Sequence, residues 1–317
     1  MERRKIILDC DPGHDDAVAI LLALASPEEL ELLGITCVAG NVPLNLTRMN
    51  ALRICELAER NEVPIYSGCE RPMVRTLVTA EAVHGQSGLD LPDGSTLPDP
   101  AKALEAEHAV DFMIETLMSE PSGSVTLCPM GPLTNVAVAM VRAPEIVPRI
   151  AGIVLMGGAA INPGNVTPAA EFNIYVDPHA ADVVFRSGVP LVMMGLDVTH
   201  QVLVTPSRKE AIRKTGGRVS NAVADLLTFY CSYDLAKYGM EGGPLHDPCV
   251  IAYLIDPTLF SLKHVHVAVE TSSDLTLGQT VADWWAVTDH VPNCHVADQV
   301  EDDRFFALLN ERLARLP

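Results

Sequence analysis

The chain has 317 residues and a formal net charge of −19, from 41 acidic and 22 basic side chains. That balance excludes a nucleic-acid groove, which needs a basic face, and argues against docking on an anionic membrane. Hydrophobic content of 48% is enough for a substantial core, and no apolar run reaches the roughly 18 residues of a transmembrane helix.

The first predicted element is a short apolar run at 5–9, which reads as a buried strand, followed by an apolar helix at 15–25. Between and around them, Asp9, Asp11, Asp15 and Asp16 fall within eight residues. They occupy the carboxyl end of a strand and the start of a helix, where open α/β sheets bind ligands. Further strands are predicted at 32–38, 64–66, 124–127, 152–155 and 190–194, and helices at 44–60, 106–118, 133–141 and 178–186. Such alternation predicts an α/β fold with an open, mainly parallel central sheet wrapped by helices, a Rossmann-like core. Residues 70–100, rich in Gly, Pro and Asp, read as a long loop over the site and carry His84. Residues 206–247 read as a mobile, mostly helical segment ending in a glycine hinge before His246 and Asp247. A strand at 263–270 and a helix at 303–316 complete the chain. Without repeats or linkers, one domain over 1–317 is expected.

Four carboxylates crowded into one turn repel each other, and a hard cation such as Ca²⁺ or Mg²⁺ relieves the repulsion. Helix capping and the helix dipole would account for Asp15 or Asp16 without any ligand. They do not account for Asp9 and Asp11, which alternate at the strand end. Other polar residues collect at the ends of apolar runs: Asn41, Asn135, Asn165, Glu171, Asn173, and His246 with Asp247. Each alone could be a turn or cap residue; their convergence on one rim makes the functional case. Glu171 and Asn173, two apart, would face the same side of an extended segment and suit two hydroxyls of one ligand. An Asp-x-Asp phosphatase using Asp9 or Asp11 with Mg²⁺ is an alternative. A non-catalytic nucleoside or sugar binder is another. The eight cysteines are scattered without a Cys-x-x-Cys pair. Together with the lack of a signal-peptide pattern, this predicts free buried thiols and a cytoplasmic protein.

Asp9-Cys-Asp-Pro-Gly-His-Asp-Asp16 is followed in order by Gly131-Pro-Leu-Thr-Asn135, Met156-Gly-Gly158, Glu171-Phe-Asn173, Gly195-Leu-Asp-Val-Thr199 and His246-Asp-Pro248. In these motifs, over essentially its whole length, the chain resembles the calcium-dependent nucleoside hydrolases, of inosine-uridine-preferring and ribosylpyrimidine types. The resemblance implies homodimers or tetramers that hydrolyse the N-glycosidic bond of ribonucleosides to ribose and free base. It implies Asp11, Asp16, Asp247 and the Met130 carbonyl as Ca²⁺ ligands, with Asp11 also the base toward a calcium-bound water. Asp15, Asn41, Asn165, Glu171 and Asn173 would clamp the ribose, Met156 would lie beside the substrate, and Asp9 would support the turn. His84, His246 and Tyr238 would meet the leaving base. Asp234 stands where pyrimidine-preferring relatives often carry glutamine, whereas the segment 190–195 leans toward the ribosylpyrimidine branch.

Overall fold

Ile6, Ile7 and Leu8 are wholly buried, yet Ile6 and Leu8 join one apolar core while Ile7 joins another. A strand whose successive side chains enter different cores has both faces covered, and so it reads as a continuous apolar run. The computed structural model describes residues 3–239 and 241–317, with the side chains of Asp234 and Tyr238 outside the description. The strands are β1 (Arg4–Cys10), β2 (Leu30–Cys37), β3 (Ile65–Ser67), β4 (Val125–Pro129), β5 (Ile150–Met156), β6 (Leu191–Met194), β7 (Leu203–Val204), β8 (Gly243–Pro244), β9 (Phe260–Val265), β10 (Val267–Val269), β11 (Thr280–Ala282) and β12 (Cys294–Val300). The helices are α1 (His14–Leu24), α2 (Leu44–Leu57), α3 (Glu81–His84), α4 (Ala109–Ser119), α5 (Thr134–Arg142), α6 (Phe172–Val176), α7 (Pro178–Phe185), α8 (Leu196–Thr199), α9 (Pro206–Lys214), α10 (Gly217–Tyr238), α11 (Pro248–Ile255) and α12 (Asp302–Leu313).

Eight strands form the central sheet in the order β3-β2-β1-β4-β5-β6-β12-β9. All neighbours run parallel except β9, which lies antiparallel on β12. After β1 the chain builds outward through β2 and β3, then returns to lay β4 on the other side of β1. The carboxyl end of β1 is therefore a topological switch point, the place where such sheets open a ligand crevice. Every residue of α1 is buried, because α2, α10, α11 and α12 all pack around it. Hence its nearly uniform apolar character beyond the first turn.

Three expectations need correction, and one strand was missed. The helix expected to reach residue 60 ends at Leu57, because Glu59 takes a left-handed φ of 55° and Arg60 bonds back to the Cys55 carbonyl. That role usually falls to glycine, so the stop left no sequence signal. The strand expected at 263–270 is two strands in different sheets. The Asn293 side chain accepts from the Val267 amide at 2.8 Å and donates to its carbonyl at 3.0 Å, taking the place of a neighbouring strand there. β12 was not anticipated at all, although it lies inside the sheet. Finally, Glu171 and Asn173 do not share an extended segment: Glu171 is the N-cap of α6, and Asn173 lies within that helix.

Candidate active site

β1 carries Asp9 and Asp11 to the switch point, and a Pro12-Gly13 turn leads into α1 with Asp15 and Asp16 in its first turn. Asp9 is wholly buried. Its Oδ1 accepts from Thr36 Oγ1 at 2.7 Å and from Asn135 Nδ2 at 2.8 Å, while Oδ2 has no partner. Asn135 also accepts from the Cys69 amide and donates to the Cys37 carbonyl, so it ties together the chain ends of β1, β2 and β3. Asp11 accepts the Asn41 amide at 2.6 Å on Oδ2 and leaves Oδ1 buried without a partner. The backbone at Gly131 approaches so closely that a Cβ there would collide with this carboxylate.

Asp16 Oδ2 accepts from the Gly13 amide at 2.8 Å, closing the start of α1, and from Asn41 Nδ2 at 3.1 Å. Its Oδ1 is again buried without a partner. Asp247 precedes Pro248 as the N-cap residue of α11, yet its side chain makes no capping bond. Instead, carboxylate oxygens of Asp15, Asp16 and Asp247 lie within 4.8 Å of one another. Capping therefore does not explain where this side chain points.

Burial pushes Asp9 up to about 7, Asp15, with Asp16 beside it, to about 7, and Asp16 to about 6. Burial and the neighbouring carboxylates drive Asp11 and Asp247 well above the ordinary range. Buried carboxylates need protons, hydrogen-bond donors or a cation to be tolerated. Here the orphaned oxygens and the all-oxygen donor set fit a hard divalent cation. The Met130 carbonyl joins this floor and accepts from Asn173 Nδ2 at 2.7 Å.

Above the floor opens a cavity of about 510 Å³. Asp15, Asn41, His84, Met130, Met156, Asn165, Glu171, Asn173, His246 and Asp247 all line it. Asp11 and Asp16, both wholly buried, are not among its lining residues, and the Tyr238 side chain falls outside the described residues. Glu171 holds its carboxylate rigid by accepting from the amides of Gly158 and Asn173, both at 2.9 Å, and Ile174 at 3.2 Å; burial raises it to about 7. Asn173 Nδ2 also reaches the Met156 carbonyl at 3.2 Å, and Asn165 Oδ1 accepts from the Phe172 amide at 3.0 Å. His84 sits at the end of α3, buried and held well below its ordinary pKa by desolvation. His246 Nδ1 lies 2.7 Å from Thr199 Oγ1, and desolvation, with His200 nearby, holds the ring down to about 3. Both imidazoles are therefore neutral near pH 7.

His200, Tyr230, Tyr233 and Lys237 also line the cavity but were not singled out from sequence. The last three fall at i, i+3 and i+7 of α10, a one-face helical spacing that was available to be read. All eight cysteines are free, as expected. No described helix is long and apolar enough to cross a membrane.

Fold and floor together define an α/β enzyme with a buried carboxylate cluster able to hold a metal. The family model described as inosine-uridine preferring nucleoside hydrolase matches residues 6–307. The pyrimidine-specific ribonucleoside hydrolase RihA of Photobacterium profundum is 48% identical across 98% of this chain and 99% of its own length. The pyrimidine-specific ribonucleoside hydrolase RihB of Escherichia coli K12 is 46% identical across 98% and 97%. Among solved structures, the purine-preferring ribonucleoside hydrolase from Gardnerella vaginalis matches with a TM-score of 0.90 at 37% identity, covering 98% of each chain. The chain belongs to the inosine-uridine preferring nucleoside hydrolase family and is an N-glycosyl hydrolase of ribonucleosides. The phosphatase alternative is thereby set aside.

Proposed function

We propose that this enzyme prefers pyrimidine ribonucleosides, uridine and cytidine, and works with Ca²⁺ in the aspartate floor. The observation that carries the site reading is the set of buried carboxylates with orphaned oxygens beneath a polar cavity. The pyrimidine preference draws on the two relatives named for it, at 46% and 48% identity. Asp11, Asp16, Asp247 and the Met130 carbonyl would hold the ion; bound there, a hard cation acidifies water and orients oxygen ligands.

This chain's residues divide the remaining work. Asp11, its Oδ2 fixed by the Asn41 amide, has an oxygen left to take a proton from the attacking water. Asp15, Asn41, Asn165, Glu171 and Asn173 would grip the ribose hydroxyls. Their hydrogen bonds help catalysis to the extent that they strengthen as positive charge develops on the sugar ring. Asp9 keeps the turn in place through Thr36 and Asn135. Met156 would pack beside the sugar, and His84, His246 and Tyr238 would face the leaving base. A neutral imidazole there can donate an N–H to a departing nitrogen without bringing a second charge near the cation. One domain over 1–317, closure by the segment 206–247, assembly as a dimer or tetramer, and a cytoplasmic setting belong to the same reading.

Ribose release measured across uridine, cytidine, inosine, adenosine, guanosine and their deoxy forms tests it. Expected is a kcat/KM for uridine or cytidine at least about tenfold above that for any purine, a gap of ~1.4 kcal/mol. A purine preference would overturn the specificity, and unimpaired cleavage of 2′-deoxyuridine would overturn the ribose clamp.

A further inference from the structure

His14 lies inside the aspartate turn, has no solvent exposure, and is not among the side chains lining the cavity. Nothing in the catalytic scheme above uses it, yet it contacts α3, the loop that follows α3, and α10. Its Nε2 is 2.9 Å from the carbonyl of Asp90, in the loop beyond α3. A carbonyl only accepts, so the ring proton of neutral His14 sits on Nε2. Its Nδ1 lies 3.2 Å from Nδ1 of His84, and its backbone amide lies 3.3 Å from that same atom. The amide donates to Nδ1 of His84, so the proton of neutral His84 sits on Nε2, the nitrogen it keeps for the cavity, while the unprotonated Nδ1 of His14 only packs against it.

Aromatic packing repeats the pattern. The His14 ring stacks on Phe229 at 5.2 Å and 6°, and packs against Tyr230 at 5.9 Å, both on α10. Tyr230 in turn packs against His84 at 5.5 Å. The turn itself presses on His84: a Cβ at Gly13 would come within 2.5 Å of its Nδ1. One imidazole thus joins the carboxylate turn, the His84 helix, the following loop and the aromatic face of α10.

We propose that His14 is a positioning residue for departure of the base: it orients His84 and seats the α10 aromatic face, without touching substrate. The inference rests on the reading that His84 serves the leaving base. It predicts that losing His14 harms natural nucleosides, whose bases need help to leave. Ribosides whose leaving group departs as a stable anion should be spared.

The test is a double-mutant cycle of wild type, His14→Phe, His84→Ala and the double variant. Each is assayed on uridine and on p-nitrophenyl β-ribofuranoside, with calcium present. Phenylalanine keeps a flat ring against Phe229 and Tyr230 and the backbone amide on His84 but loses the ring's hydrogen bond to the Asp90 carbonyl; His14→Asn, which keeps a donor for that carbonyl, serves if the Phe variant does not fold. Expected are a loss in uridine kcat of about 100-fold for His84→Ala and at least about tenfold for His14→Phe. The uridine KM and the p-nitrophenyl riboside rate of His14→Phe should stay within about threefold, and the double variant should be no slower than His84→Ala alone. Losses that multiply in the double variant, or equal losses on both substrates, would overturn the role of His14. Full uridine activity in His84→Ala would instead remove the parent reading of His84, and this inference with it.

Discussion

Removing the cation should cost the protein little stability in acid and much more in base. Burial, with Asp16 beside it, pushes Asp15 from an ordinary 3.8 up to about 7, and burial pushes Asp16 to about 6. A carboxyl with a raised pKa in the folded state stabilises the fold through its protonated form. That contribution is complete below pH ~4 and is lost as the pH rises through about 6 to 7. At ~1.4 kcal/mol per pH unit, Asp16 alone accounts for about 3 kcal/mol. A cation binds the deprotonated carboxylates, so its stabilisation grows over the same window. For a chain of this size, about 3 kcal/mol corresponds to roughly 4 to 5 °C in Tm. Scanning calorimetry in chelator and in saturating calcium should therefore give nearly equal Tm values at about pH 4 and a gap of roughly 4 °C or more at about pH 8. Asp16→Asn should largely remove the growth of that gap. A gap independent of pH, or one that closes toward base, would refute the linkage between these carboxylates and the ion.

Asp11→Ala should lower kcat by about 10³-fold or more, since it removes both a ligand and the proposed base; activity within about tenfold of wild type would remove Asp11 from the chemistry. Asn173→Ala frees the Met130 and Met156 carbonyls and should weaken calcium about 10- to 100-fold by calorimetric titration; an unchanged affinity would mean that the Met130 carbonyl is held by the backbone alone. Gly131→Ala drives a Cβ into the Asp11 carboxylate and should abolish calcium binding or folding; wild-type binding and Tm would contradict the packing described.

Much of this was legible because the chemistry sits where pattern is strongest. β1 and α1 each hold an unbroken apolar run, Ile6–Leu8 and Ala17–Leu24, so the aspartates around their junction could be placed from sequence. The rest escaped for identifiable reasons. β12 carries His295, Asp298 and Gln299 among its seven residues, so it lacks the continuous apolar run of its neighbours. The end of α2 relies on a left-handed glutamate, and the break between β9 and β10 on one distant asparagine. Glu171 and Asn173 were chosen for a strand geometry that does not exist. A short helix capped by Glu171 brings both to the same cavity by another route. His14 was in view throughout, but only the fold shows it meeting residues 70 and more than 200 positions away.

The most direct measurement is calcium reconstitution of metal-stripped enzyme, with ribose release from uridine followed as the ion is added. Stripped protein should be inactive, and activity should return in proportion to bound calcium, saturating at about one ion per chain, as a single shared floor requires. Full turnover by stripped protein would contradict the claim that these carboxylates act through a bound cation.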